Sequence, residues 1–417
     1  MDRLRRIPDW AWLALGLALR VAFALSLGGR TIQVDEAGFD GEAWNLAATH
    51  SLGPPGTTAP PLAPLFFSLF YLLGHYPVRA RLAQAVLSTA TAWVIGRATR
   101  DLTGSERAGR LALALSCVYP FFIYWSSVLM SETTYVALTA WAVWRLCRSL
   151  RGDGRAGDAA LAGLALGLAA LARPEGAYIW AVIWLAAAAA CAARKWAWKA
   201  WAVAVLCWAI PILGWSARNQ AATGRFALDI HGGGTMLHGT MFLDLNEVDT
   251  LLAGDAMERQ PFYQAAQKLP PGERDKALMR EAVRFMREHP GLTVRQWGLK
   301  FLNFWRFYPR TEKRYIETGI SHPGAGLSHR GLAAISLCFE PWLIVLGIAG
   351  MALLARREWT LLPLPLFLLG TMGIHVISVS QMRYRMPVMP WLILSASWLI
   401  AERLLERPPE ERPRTGP

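Results

Sequence analysis

The sequence predicts an all-α polytopic membrane protein of about ten transmembrane helices. Juxtamembrane helices on the outer face and one long extracytoplasmic loop complete the fold class. Three observations predict it. First, 54% of the 417 residues are apolar and only 18% are charged, against about 25% charged in a typical soluble domain. Second, apolar runs recur at or near the roughly 20 residues that a helix needs to cross a bilayer. Third, Lys and Arg cluster between those runs in a pattern that fixes orientation. Such a composition excludes a disordered chain, a collagen-like chain and an ordinary soluble enzyme. The net charge of +13 reads as cytosolic loops rather than as a nucleic-acid surface. Membrane lipids are therefore expected partners, and nucleic acid is not.

The runs, in order, are Trp10 to Leu27, Leu82 to Ala98, Leu111 to Val128, Tyr135 to Leu146 and Ala159 to Ala172. Ala177 to Ala193, Trp196 to Trp215, Leu332 to Ala355, Leu361 to Val379 and Val388 to Ile400 follow. Gly163 and Gly167 are spaced for close helix packing. The basic clusters begin with Arg3, Arg5 and Arg6. Arg97 to Arg110, Arg145 to Arg155, Arg194 to Lys199, Arg356 with Arg357, and Arg403 to Arg414 follow. Ten crossings put every cluster inside, with both termini cytoplasmic. This holds only if the shorter run Pro61 to Gly74 does not cross. It reads as a re-entrant or juxtamembrane helix on the outer face, its leading prolines suiting a helix start. The first run reads as an uncleaved span, because no small-x-small cleavage site follows it.

The chain divides accordingly. Residues 1–216 form an N-terminal transmembrane module whose first outer loop spans 30–80. Residues 217–330 form an extracytoplasmic loop, partly helical and too long for a simple connection. Residues 331–406 supply the C-terminal membrane helices, and 407–417 a disordered cytosolic tail. Within the long loop, Glu273 to Glu288 reads as a helix ended by His289-Pro290-Gly291. Leu292 to Tyr308 is amphipathic and aromatic. It suits either a helix at the headgroup level or packing on the loop's own small core.

The five cysteines lie in or beside apolar runs and form no C-x-x-C pair, so small-residue packing is expected rather than a disulfide framework or a zinc site. His231-Gly232-Gly233-Gly234 is similar to a lipase oxyanion loop, but no Gly-x-Ser-x-Gly elbow exists in the chain, so hydrolase chemistry has no support. A flexible glycine loop near the substrate is the favoured reading, with phosphate binding there left open. His231 and His238 lack the acids or cysteines that would make a metal site.

The strongest local signal is Val34-Asp35-Glu36-Ala37, just outside the first span. Neither solubility nor topology requires an acid pair there, and ionisable groups at a membrane boundary are functional candidates. A carboxylate so placed can serve as a general base toward an acceptor hydroxyl or amine. Arg173 and Glu175, at a break between two spans, read as a helix-turn ion pair.

Taken together, these segments resemble the C-type membrane glycosyltransferases, and most closely the protein O-mannosyltransferase and aminoarabinose transferase group. The resemblance is carried by Asp35-Glu36 after the first span, Pro60-Pro61-Leu62 opening a short outer helix, and Gly74 then Arg81 before the second span. Pro120, Glu132, Leu171-Ala172-Arg173-Pro174-Glu175-Gly176 and Arg383-Tyr384-Arg385-Met386-Pro387 with Pro390 add to it. It covers about residues 1–215 well and 280–400 loosely.

The resemblance implies an extracytoplasmic site that takes a sugar from a polyprenyl-phosphate donor to a protein, lipid or glycan acceptor, with inversion. It implies Asp35 as catalytic base. Glu36 either orients the acceptor or pairs with Arg81, and Glu132 positions the acceptor or the sugar. Arg81, Arg383, Tyr384 and Arg385 are the candidates for holding the lipid phosphate, since guanidinium groups contact phosphate bidentately. No cofactor is implied, and a divalent metal is left open. A bacterial inner membrane is the expected location. The chain departs from the aminoarabinose transferases at Ala59-Pro60, where a Lys is usual, and its loop lacks the extra folded domains of the mannosyltransferases. The alternatives are a lipid-linked glycan transporter or flippase, and an O-antigen-type ligase or polymerase. The first should show two related halves, and the second should lack the acid pair.

Overall fold

The computed structural model describes residues 7–33, 35–51, 60–151, 155–193, 195–229, 231–242, 259–307 and 329–404. Among these the chain is helical, with no strand. Val34, the N-terminal arginines, residues 52–59 and the tail from Arg407 lie outside the described residues.

Helix α1 covers Asp9–Leu27. The first outer loop then carries α2 (Glu36–Thr49) and α3 (Leu62–Ser68). With 7 residues and about 1.5 Å rise per residue, α3 reaches roughly a third of the ~30 Å hydrocarbon core. The run Pro61 to Gly74 therefore does not cross as a straight helix. Helix α4 (Pro77–Thr103) follows.

The third apolar run is not one helix. It divides into α5 (Glu106–Val118) and α6 (Pro120–Trp125), with Tyr119 extended between them. Pro120 lacks the amide that would continue α5, and its ring pushes the preceding residue into extended backbone. The last carbonyls of α5 are thereby freed inside the bundle. Arg20 of α1 takes two of them, donating to Ser116 O at 3.0 Å and Cys117 O at 2.8 Å. It also bonds Gly16 O and Ser88 Oγ, each at 2.9 Å. A fully buried arginine thus caps a broken helix, where the helix dipole favours a cation.

Helices α7 (Glu132–Arg151), α8 (Ala156–Ala170), α9 (Glu175–Ala192) and α10 (Trp198–Thr223) complete the first half. The expected glycine packing is present. A Cβ on Gly163 would lie 2.0 Å from Ala204 O, and one on Gly167 would lie 2.4 Å from Trp208 O. Only glycine lets α8 and α10 approach this closely. Helix α10 runs past Trp215, so the expected boundary at 217 falls inside a helix.

The long loop holds α11 (Gly232–Leu237), α12 (Pro261–Gln267), α13 (Pro271–Glu288) and α14 (Pro290–Phe304). Both helices expected there are found. The glycine run serves packing. A Cβ on Gly233 would sit 2.0 Å from Asp275 O, and the Gly233 amide donates to the Asp275 carboxylate. Helices α11 and α13 lock together at that point, with Leu237, Leu278 and Ala282 in a small core.

Helices α15 (His329–Arg357), α16 (Pro363–Ile377) and α17 (Met389–Leu399) close the bundle. A short 3-10 segment, Met382–Val388, precedes α17. The main core runs through α4, α5, α7, α8, α9, α16 and α17. Among the described residues, five segments are long and apolar enough to cross a membrane: Asp9–Leu27, Glu175–Ala192, Trp198–Thr223, Ala333–Arg357 and Trp359–Ile377. Large apolar side chains such as Leu185, Leu206, Ile210 and Val345 point outward from them, as they do on helices solvated by lipid. The chain is an integral membrane protein. All five cysteines are free thiols.

Candidate active site

The site begins with a buried ion pair. Glu36 and Arg81 are both fully buried, with Arg81 Nη2 2.8 Å from Glu36 Oε1. Arg81 also donates to the carbonyls of Gly28 and Arg30. Glu36 accepts from the amides of Ile32 at 2.8 Å and Leu129 at 3.1 Å. A buried charge pair is stable only when its remaining donors and acceptors are met, and here most are. The first turn of α4 thereby clamps both ends of the segment 28–36. This places Arg81 away from any phosphate reaching the surface. Of the two roles open to Glu36, the structure shows the pairing with Arg81.

The clamp presents the preceding residue outward. Asp35, at the start of α2, has a side chain 51% exposed. Its partner comes from the far end of the chain. Arg383 Nη2 and Nη1 lie 3.1 and 3.2 Å from Asp35 Oδ2. The Arg383 side chain is 16% exposed. Burial works against its charge, but Tyr384, Glu132 and Asp35 outweigh burial and hold its pKa well above the ordinary value.

Behind this pair lies a second layer. Arg383 Nη2 is 3.2 Å from Tyr384 Oη. The Tyr384 ring stacks on His375 with centroids 4.2 Å apart and planes within 2°. The guanidinium groups of Arg383 and Arg173 sit 5.1 and 5.2 Å from the Tyr384 ring centre, within cation–π range. Arg173 lies in the turn between α8 and α9, where it bonds Glu175 and reaches Glu132 Oε1 at 3.0 Å. Against burial, Glu175 and Glu132 raise its pKa. Glu132 Oε2 is buried and lacks a hydrogen-bond partner. Glu132 also lines a cavity of about 20 Å³ with Ser88, Thr91, Phe122, Trp125, Thr133, Val136 and Met386. That is room for one water.

Arg385 faces elsewhere. It is buried, and bonds the carbonyls of Phe304 and Arg306 and the carboxylate of Glu340. Its expected place at a phosphate is not where the structure puts it, because a guanidinium this deep is retained by its counter-ion. The fold therefore gathers Asp35, Glu132, Arg383 and Tyr384, and separates Arg81, Glu36 and Arg385 from them. Arg173, Glu175 and His375 join the group. Arg173 and Glu175 do form the turn pair, and the pair also reaches Glu132 and His375. His375 sits in an apolar run and gives no local signal. Among the described residues no three His, Cys, Asp or Glu side chains are placed to hold a metal ion.

The fold and site define a helical membrane protein with paired carboxylates and arginines gathered where helices α7, α9 and α16 begin or end. Comparison with known proteins narrows the class. The family model for dolichyl-phosphate-mannose-protein mannosyltransferase matches residues 58–215. The archaeal oligosaccharyltransferase AglB from Archaeoglobus fulgidus, in complex with an inhibitory peptide and a dolichol-phosphate, superposes with a TM-score of 0.50 at 13% identity, covering 94% of this chain and 50% of that one. The apo oligosaccharyltransferase of Archaeoglobus fulgidus gives 0.47 at 12% identity, with 94% and 50% covered. ArnT from Cupriavidus metallidurans, bound to undecaprenyl phosphate, gives 0.44 at 15% identity, with 94% and 77% covered. No curated protein matches the sequence. The chain spans half the length of the oligosaccharyltransferases it matches. In that matched segment and in its fold the chain is similar to the C-type membrane glycosyltransferases.

Proposed function

We propose that the protein is an inverting glycosyltransferase. It moves a sugar from a polyprenyl-phosphate donor to a protein, lipid or glycan acceptor on the extracytoplasmic side of a bacterial inner membrane. The observation that carries this reading is the pairing of Asp35 with Arg383. An exposed acid and a mostly buried guanidinium meet although 348 residues separate them. The chemistry needs both. Asp35 takes the proton from the acceptor hydroxyl or amine. The acceptor atom attacks the anomeric carbon, and the bond from that carbon to the phosphate oxygen breaks. The electron pair leaves with the polyprenyl phosphate, whose charge Arg383 balances. Glu132, with its free oxygen, and Arg173 position the sugar or the acceptor, and Tyr384 holds both arginines in place. AglB, which shares the fold, was captured with a lipid phosphate and a peptide, the two substrate classes assigned here. Ten crossings with both termini cytoplasmic complete the proposed topology.

The test is incubation of purified protein with a short polyprenyl-phosphate monosaccharide. Transfer or hydrolysis is expected, and Asp35→Asn should lower it by about 100-fold or more in a folded protein. Full transfer by that variant, or activity only with polyprenyl-diphosphate oligosaccharides, would overturn the reading.

A further inference from the structure

Helix α14 is amphipathic the wrong way round for water. Its inward face is polar: Thr293, Gln296, Lys300 and Asn303 are all buried. Its outward face is mostly apolar, with Val294 62%, Phe301 44% and Leu302 65% exposed and Arg295 the one cation among them, a side chain long enough to reach the headgroups from an interfacial helix. A helix packed on a protein and facing water shows the opposite arrangement. Reversal is expected where the outer medium is hydrocarbon.

The polar face explains where the helix is held. Lys300 Nζ donates to Ile377 O at 3.2 Å and to Ser378 O. Asn303 donates to Ser380 O, and Ser380 Oγ returns a bond of 2.7 Å to Lys300 O. Ile377 is the last residue of α16, which ends one of the membrane-length segments. The joint therefore sits where a spanning helix leaves the bilayer. Arg385 fastens the other end through Phe304 O and Arg306 O. The stretch between these two fastenings, 378–385, is the one that carries Arg383 and Tyr384.

We infer that α14 is a bilayer-seated platform: its apolar face lies in the interfacial layer of the phospholipid membrane and sets the depth of the Arg383 segment. The occupant of that face is the bilayer itself. Two features favour lipid over a protein partner. The exposed face adjoins the end of a spanning helix, where Ile377 is also exposed. The preceding helix α13, joined through His289 alone, shows Lys276, Arg280, Arg284 and Arg287 on its open side, with Lys276 paired to Glu273 and Arg284 to Glu281, and the cations in excess of those acids suit phosphate headgroups. The consequence for the site rests on the glycosyltransferase reading: a lipid-linked donor presents its phosphate at a fixed depth, and α14 holds Arg383 at that depth.

The full chain in phospholipid nanodiscs tests both parts. A photoreactive benzophenone side chain replaces Leu302, and the cross-linked products are weighed. Adducts with phospholipid are expected. Adducts with a second copy of the chain, or with neither, would overturn the seat. The double variant Val294→Ser/Leu302→Ser alters two largely exposed side chains and should keep its melting temperature in detergent. In nanodiscs its KM for a long-chain polyprenyl-phosphate donor should rise about tenfold, from the loss of two buried apolar side chains, with kcat unchanged. An unchanged KM would overturn the coupling to Arg383. Failure of the seat leaves the donor assay with Asp35→Asn unaffected, so the two readings fall separately.

Discussion

Arg383 reaches Asp35 with two nitrogens, at 3.1 and 3.2 Å from the same carboxylate oxygen. Under the proposed function such a guanidinium would have two partners. A donor phosphate bearing more negative charge than Asp35 would draw Arg383 toward itself and release the carboxylate to face the acceptor. Donor binding and base exposure would then be one event.

This relationship separates the two variants kinetically. Asp35→Asn should lower kcat by about 10²- to 10⁴-fold, the usual share of a general base, with KM for the donor little changed. Arg383→Gln should lower kcat/KM by about 10- to 100-fold, from the loss of charge-assisted bonds worth about 1.5–3 kcal/mol. Steady-state kinetics against donor concentration checks both. Equal effects on KM from the two variants would contradict the division of roles.

The Glu36–Arg81 clamp should report on stability. Glu36→Gln leaves a buried guanidinium short of its counter-ion, which costs about 3–5 kcal/mol. Its melting temperature should fall sharply, whereas that of Asp35→Asn should not. A fluorescence melt of the two variants in one detergent distinguishes them, and an unperturbed Glu36→Gln melt would remove the clamp.

The contact between α11 and α13 has no room for a methyl group. Gly233→Ala should force the Asp275 backbone away and destabilise the loop by about 1–3 kcal/mol. Gly232→Ala, where a Cβ meets nothing within 4 Å, serves as the control. Limited proteolysis of the loop should rise for the first variant only.

Lys300 gives a pH dependence. Burial pushes its pKa down from 10.5 to about 8. Below pH 8 the folded and unfolded chains both carry the proton, and the fold bears the whole cost of burying it. Between about 8 and 10.5 the unfolded chain binds more protons, so stability rises with pH through that window. The melting temperature of the natural protein should therefore gain on that of Lys300→Met as pH rises from 8 to 10.5. A constant difference would show that Lys300 does not titrate there.

Much of the helical layout is legible in the sequence because long apolar runs and the cations between them obey strong rules. Asp35 and Arg383 stand out for the same reason: each is a charge beside an apolar run with no topological duty. What lies two residues away is not legible. Arg383 and Arg385 look alike in sequence, yet one faces Asp35 and the other Glu340. Their fates depend on α15, whose acid is 45 residues upstream of Arg385. Glu36 and Asp35 are likewise neighbours with opposite surroundings, decided by Arg81. The division of the third apolar run follows from Pro120, which the sequence displays. The arginine that makes the break tolerable sits in the first span and carries no motif.

That arginine also sets an order of events during synthesis. Cys117, whose carbonyl Arg20 takes, is made 97 residues later. At ribosomal speeds of about 5–20 residues per second, Arg20 waits about 5–20 s for its partners. An unpaired arginine at a helix centre costs about 2.5–3.5 kcal/mol to insert. Helix α1 therefore gains the last partners of its buried arginine only once α5 has been made.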